Sequence, residues 1–220
     1  MGRVGTRAIL PIWLQVFVGV EMTAVIVAAF LYVPPADGFA SPECARIMIF
    51  HVPCAIIAVV AYIVSTVYAV LCLTRDEMAS DVKSAASASL GFLFTALATV
   101  TGMIFARVEW GTAWNWDPRE TSILMLVIIY AAYFALRGAI PNAANRARIS
   151  AAYNILACLV MPFVMFVLPR ISPGLHPSEV SLSPEYREAL VGAMLGYVII
   201  YVWMLRLAVR VREASLARRR

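Results

Sequence analysis

Residues 110–121 read Trp-Gly-Thr-Ala-Trp-Asn-Trp-Asp-Pro-Arg-Glu-Thr, and long apolar runs at 85–106 and 121–137 flank them. The stretch holds three of the five tryptophans, with Glu109, Asp117, Arg119 and Glu120 close by. Its second half has the grammar of a helix start. Asp117 is a good N-cap, Pro118 suits the first helical position, and Glu120 stands three residues after the cap, where a capping box needs its acid. A Trp-rich loop tied to a helix start, between two runs of near-membrane length, predicts an all-α membrane protein with this loop at the interface.

Composition agrees. Of 220 residues, 62% are hydrophobic and 14% charged, with a mean hydropathy of +0.83, well above the roughly one-half apolar usage of soluble domains. Several runs approach the ~20 residues needed to cross the hydrocarbon core. The first run is too long for the core of a cleavable signal peptide and lacks a clear small-residue cleavage site, so none is expected. The net charge of +5 does not point to nucleic acid. Arg206, Arg210, Arg212, Arg218, Arg219 and Arg220 follow the last apolar run, where membrane lipid is the partner expected. Cys44, Cys54, Cys72 and Cys158 lack metal-ligand spacing and predict no disulfide framework.

Six spans are predicted, at roughly 10–33, 46–73, 85–106, 121–137, 149–169 and 188–207, forming one transmembrane domain over 1–220 with a Trp-rich outer loop at about 107–121. Alternate loops divide the basic residues unequally. Arg3, Arg7, Arg75, Lys83, Arg137, Arg146, Arg148 and the six tail arginines make 13 on one side, against five (Arg46, Arg107, Arg119, Arg170, Arg187) on the other. The positive-inside rule then places both termini in the cytoplasm and the Trp-rich loop outside. His51 in His-Val-Pro and His176 in the last outer loop fall on that outer side too. Pro53 should free a carbonyl beside His51, Pro162 should kink the fifth helix, and Ser183-Pro184 should start the sixth.

The outer face therefore offers two histidines, three clustered tryptophans and an arginine at a helix N-terminus. A flat, apolar, iron-containing ring with two carboxylates would use all of them. Imidazoles can ligate iron from opposite faces, indoles can pack on the macrocycle, and Arg119 with the helix N-terminus can receive propionates. Plainer readings stand beside this one. An aromatic belt explains Trp13 and Trp203 and could include the loop, an interfacial histidine is commonly a hydrogen-bonded surface residue, and Asp117 could serve only as a cap. Glu21, near the middle of the first span, is either part of a midplane transport site or a protonated side chain bonded within the bundle.

The motif Trp110-Gly-Thr-Ala-Trp-Asn-Trp-Asp-Pro-Arg-Glu-Thr resembles the tryptophan-rich "WWD" signature of the haem-handling proteins of cytochrome c assembly. With six spans, His-Val-Pro at 51–53 and an outer-loop His176, the chain is similar to the CcmC branch over nearly its whole length. The resemblance implies a protein of the bacterial inner membrane that holds haem b as transient cargo at the periplasmic face. His51 and His176 would be axial ligands, and Trp110, Trp114, Trp116, Asp117 and Arg119 would complete the site. It further implies delivery to a periplasmic haem chaperone of the CcmE type, alongside CcmA and CcmB transporter subunits and CcmD. Ala113 stands where that branch commonly has another aromatic, and Pro118-Arg119-Glu120 is similar to the larger CcsA-type synthetases. Haem delivery, a synthase subunit attaching haem to apocytochrome, and a transporter with a midplane Glu21 are thus the three functions in play, the first leading.

Overall fold

In a computed structural model, residues 10–75, 77–176 and 180–218 are described, with no strand among them. Arg3, Arg7, Arg219 and Arg220 lie outside the described residues, as does the side chain of Arg218. The long helices are α1 (Ile12–Leu31), α2 (Met48–Arg75), α3 (Met78–Glu109), α4 (Pro118–Ala139), α5 (Ala143–Pro162) and, after a short α6 (Leu168–Ile171), α7 (Pro184–Arg218). Among the described residues, six helical stretches are long and apolar enough to cross a membrane, the fifth running Ala143–Ile171.

Several helices outrun their apolar cores. Met78 rather than residue 85 begins α3, and α7 continues to Arg218 instead of ending near 207. Arg206, Arg210 and Arg212 are therefore helical residues rather than a tail, and Arg212 donates to Ser89 Oγ at 2.8 Å. Hydropathy marks only the part of a helix that meets lipid. The flanking turns are held by side-chain bonds, which hydropathy does not record.

Antiparallel α2 and α3 form the central hairpin. Its register is readable from its close contacts: Ser65 Oγ donates to the Ser84 carbonyl at 2.8 Å, and Ser87 Oγ donates to the Ala61 carbonyl at 2.6 Å. Gly91 faces Tyr62, where a Cβ would come within 2.7 Å of the ring. Tyr62 in turn stacks on Tyr130 of α4 with centroids 3.5 Å apart, and its hydroxyl meets Thr95 Oγ1 at 3.0 Å. Asn154 of α5 is fully buried; it donates to Ser65 Oγ at 2.7 Å and accepts from the Tyr130 hydroxyl at 3.3 Å. Buried polar groups cost several kcal/mol when unpaired, so this chain of bonds fixes how α2, α3, α4 and α5 meet. At the end away from the Trp-rich loop, Arg137 grips Asp81 with two bonds of 2.6 and 2.7 Å.

At the opposite end, Glu109 accepts from the backbone N–H groups of Ala40 and Ser41 at 2.8 and 3.2 Å, tying the first loop to the end of α3. Ser183 Oγ caps α7 through Tyr186 N–H at 3.2 Å, as its sequence predicts. The Tyr186 hydroxyl reaches the Ala45 carbonyl just before α2. Pro162 does break the regularity of the fifth span. The α-helix gives way to a π-helical turn at Phe163–Val167, a known response to a lost backbone bond. Glu21 lies against Gly192 and Gly196 of α7, and among the described residues neither carboxylate oxygen has a hydrogen-bond partner.

Candidate functional site

The register that seats Tyr62 on Gly91 also brings the first turns of α2 beside the last turns of α3. His51 Nδ1 consequently lies 3.0 Å from Thr101 Oγ1. Gly102 lets the ring approach: a Cβ there would sit 3.1 Å from His51 Cε1.

His176 arrives from the loop after α6, and Asp117 holds it. Asp117 Oδ2 accepts from the Leu175 and His176 N–H groups at 2.5 and 3.4 Å, and Oδ1 lies 2.7 Å from His176 Nδ1. Gly174 is required for this approach, since a Cβ would fall 2.5 Å from Asp117 Oδ2. Burial raises the Asp117 carboxyl, but N–H bonds from Arg119 and Leu175, with His176, outweigh it and leave its pKa below the usual value. Burial lowers the His176 pKa, and the Asp117 charge and hydrogen bond only partly oppose that. A carboxylate must accept, so His176 Nδ1 carries the proton and Nε2 keeps its lone pair.

The Trp-rich stretch forms the predicted cap. Arg119 N–H donates to Asp117 Oδ1 at 2.8 Å, and the full capping box with Glu120 is present. Glu120 Oε2 also accepts from Asn115 N–H at 2.6 Å, while its buried Oε1 has no partner among the described residues. Because Asp117 occupies the first N–H groups of α4, the helix terminus is not free to receive an anion, contrary to expectation. The exposed Arg119 side chain is the available group. Two left-handed residues shape the loop, Gly111 at φ 82° and Trp116 at φ 56°; the second is costly for a bulky side chain.

His51 and His176 line one cavity of about 250 Å³. Val52, Ala55, Ile56, Ala98, Ile123, Met165 and Pro169 give it apolar walls, with Trp114, Arg119, Glu120 and Ser122 also lining it. The tryptophans divide by position. Trp114 lines the cavity; Trp110 stands behind it, edge-on to His176 at 4.7 Å and to Phe105 at 5.8 Å. Trp116 is 70% exposed and meets Trp114 edge-on at 5.9 Å. The sequence reading missed Thr101, Gly102 and Gly174. A small residue in an apolar helix or a Gly in a loop carries no signal until the partner ring is known.

A lipid belt of tryptophans has no reason to enclose both histidines in one cavity. The family model described as "CcmC: Heme exporter protein C" matches residues 4–220. The chain belongs to the CcmC family. Among its relatives, the "Heme exporter protein C" of Paracoccus denitrificans is 29% identical over 82% of this chain and 81% of its own length. The protein of the same name from Escherichia coli K12 is 27% identical over 86% and 77%. A "cytochrome c biosynthesis ccmC-like mitochondrial protein" of Marchantia polymorpha is 30% identical over 73% and 67%. With six membrane-length helices and bacterial CcmC relatives, this is a multi-pass bacterial membrane protein.

Proposed function

We propose that this CcmC-family chain binds haem b at the Trp-loop end of the bundle, between His51 and His176, and delivers it to a periplasmic chaperone of the CcmE type during cytochrome c maturation. The observation that carries the reading is that the only two histidines of the chain line one apolar cavity. His176 offers an unprotonated Nε2, the form that ligates iron. The relatives' names support haem as the cargo. Trp114 supplies a flat wall and Arg119 a cation for a propionate. The cavity is partly open, so a second protein could reach a ring held there. In this reading the site faces the periplasm from the inner membrane, with CcmA, CcmB and CcmD as neighbours.

The test is the spectrum of purified protein loaded with haem. His51→Ala and His176→Ala should each disturb a low-spin bis-histidine signature, and the double variant should be depleted of haem. Unchanged spectra in both single variants would remove the pair. Labelling of a chaperone histidine would mark delivery, whereas labelling of an apocytochrome CxxCH would mark the synthase reading.

A further inference from the structure

The ring of His51 can present a lone pair to the cavity through Nε2 only if its proton sits on Nδ1. An imidazole on the second turn of an apolar helix can carry its proton on either nitrogen, and only one tautomer can ligate through Nε2. We infer that the Thr101 hydroxyl fixes His51 in the Nδ1-protonated tautomer, making Thr101 a positioning residue for the haem ligand. The inference rests on the haem-binding reading above.

Thr101 Oγ1 has one hydrogen, and it is directed to the Leu97 carbonyl at 2.7 Å, with the Ala98 carbonyl at 3.2 Å as the next acceptor. Toward His51 Nδ1, at 3.0 Å, the same oxygen therefore has only lone pairs to offer. The ring must donate toward Thr101, so Nδ1 holds the proton and Nε2 the lone pair; the Ala98 carbonyl, which also bonds the ring, is a second acceptor beside the hydroxyl. The neighbouring hydroxyl cannot substitute. Thr99 also lines the cavity, but its hydroxyl donates to the Thr95 carbonyl at 2.8 Å, and no bond joins it to the ring. Gly102 completes the arrangement by giving the ring space to lie against α3, since a Cβ would crowd Cε1 at 3.1 Å. Where Asp117 sets the tautomer of His176 with a charge, Thr101 sets that of His51 with a hydroxyl whose own proton is already committed.

Because the chain has two histidines, ¹⁵N-histidine labelling of the full-length haem-free protein in detergent gives two ring systems, separable with His176→Ala. His51 should show a protonated Nδ1 and an unprotonated Nε2. Thr101→Val, which keeps the shape and removes the acceptor, should move His51 toward a mixture of tautomers, and Thr101→Ser should restore the wild-type pattern. With added hemin, Thr101→Val should lose the ligand about 10–100-fold faster, the scale of losing an outer partner of a metal-bound imidazole. A wild-type His51 protonated on Nε2 overturns the inference without any variant, and so does an unchanged tautomer in Thr101→Val. If the tautomer moves as expected but wild-type protein holds hemin without axial histidine, Thr101 keeps its role and the haem reading falls instead.

Discussion

Asp117 Oδ1 and His176 Nδ1, 59 positions apart in sequence, lie 2.7 Å from each other while the same carboxylate caps α4. Cap and histidine holder are one side chain. Asn is as good an N-cap as Asp, so Asp117→Asn separates the two tasks. Thermal stability should change by less than about 1 kcal/mol, the usual worth of a cap. Haem retention should fall about 10–100-fold, because the imidazole loses the carboxylate that orients it. Release of hemin to an excess scavenger measures this, and an unchanged rate would leave Asp117 a cap alone.

The acid limb of haem retention carries a sign. The His176 pKa lies below its ordinary 6.5, so the folded protein favours the neutral ring. Its contribution to stability is present above 6.5 and is lost as pH falls through the lowered value. Retention should therefore hold through pH 6.5 and fail only at more acid values. Removing the Asp117 charge, which pulls this pKa up, should move that acid limb still lower while weakening retention throughout. A limb centred at or above 6.5 would contradict the burial of the ring.

Trp114 and Trp116 should separate on mutation. Trp114→Ala removes an indole from the cavity wall, at about 1–3 kcal/mol of apolar contact, and should weaken retention of hemin. Trp116 is exposed and outside the cavity lining, so Trp116→Ala should leave retention intact and slow transfer to the chaperone. Trp116→Gly should in addition raise thermal stability by relieving the left-handed φ of 56°. Equal transfer rates in wild type and both alanine variants would reduce the loop to an interface belt.

Orientation is tested by reporters. The 13-to-five division of basic residues predicts that the Trp-loop end lies outside. Gly38 and Gly138 have open space around them and stand at opposite ends of the bundle, so insertions there should be tolerated. An alkaline phosphatase reporter should be active at Gly38 and silent at Gly138. The reverse pattern would put the histidines in the cytoplasm and end the delivery reading.

Gly91→Ala probes the core. The new methyl would meet the Tyr62 ring at 2.7 Å and disturb its stack on Tyr130. Overpacking of this kind costs about 1–3 kcal/mol, readable as a lower thermal midpoint in detergent. An unchanged midpoint would show that the α2–α3 hairpin can spread without loss.

Much of this was legible in the residues. The spans follow from hydropathy, the α4 cap from Asp117-Pro-Arg-Glu, the disturbed fifth helix from Pro162, and the α7 start from Ser183-Pro184. The pairing of His51 with His176 in one cavity could be posed as a question but not measured. What stayed hidden are contacts whose two halves are far apart: Thr101 under His51, Gly174 against Asp117, Asn154 between Ser65 and Tyr130. A helix-facing hydroxyl or glycine looks like ordinary small-residue packing until the hairpin register supplies its partner. The same holds for Trp116, whose left-handed backbone and exposure separate it from Trp114, only two residues earlier.

The seating of α1 has a consequence for how the chain is made. Its main neighbour is α7, where Val25 and Ala29 join Tyr186, Ala189 and Ala193 in one apolar cluster and Glu21 lies against Gly192 and Gly196. Those glycines leave the ribosome some 170 residues after Glu21. Throughout that interval α1 is in the bilayer without its partner, its mid-helix carboxyl facing lipid or some interim companion. The polar knot of α2 to α5 can close meanwhile, since all its members are already made. Docking of α1 therefore waits for α7, and a ribosome stalled before Gly192 would leave a formed core with one stray helix beside it.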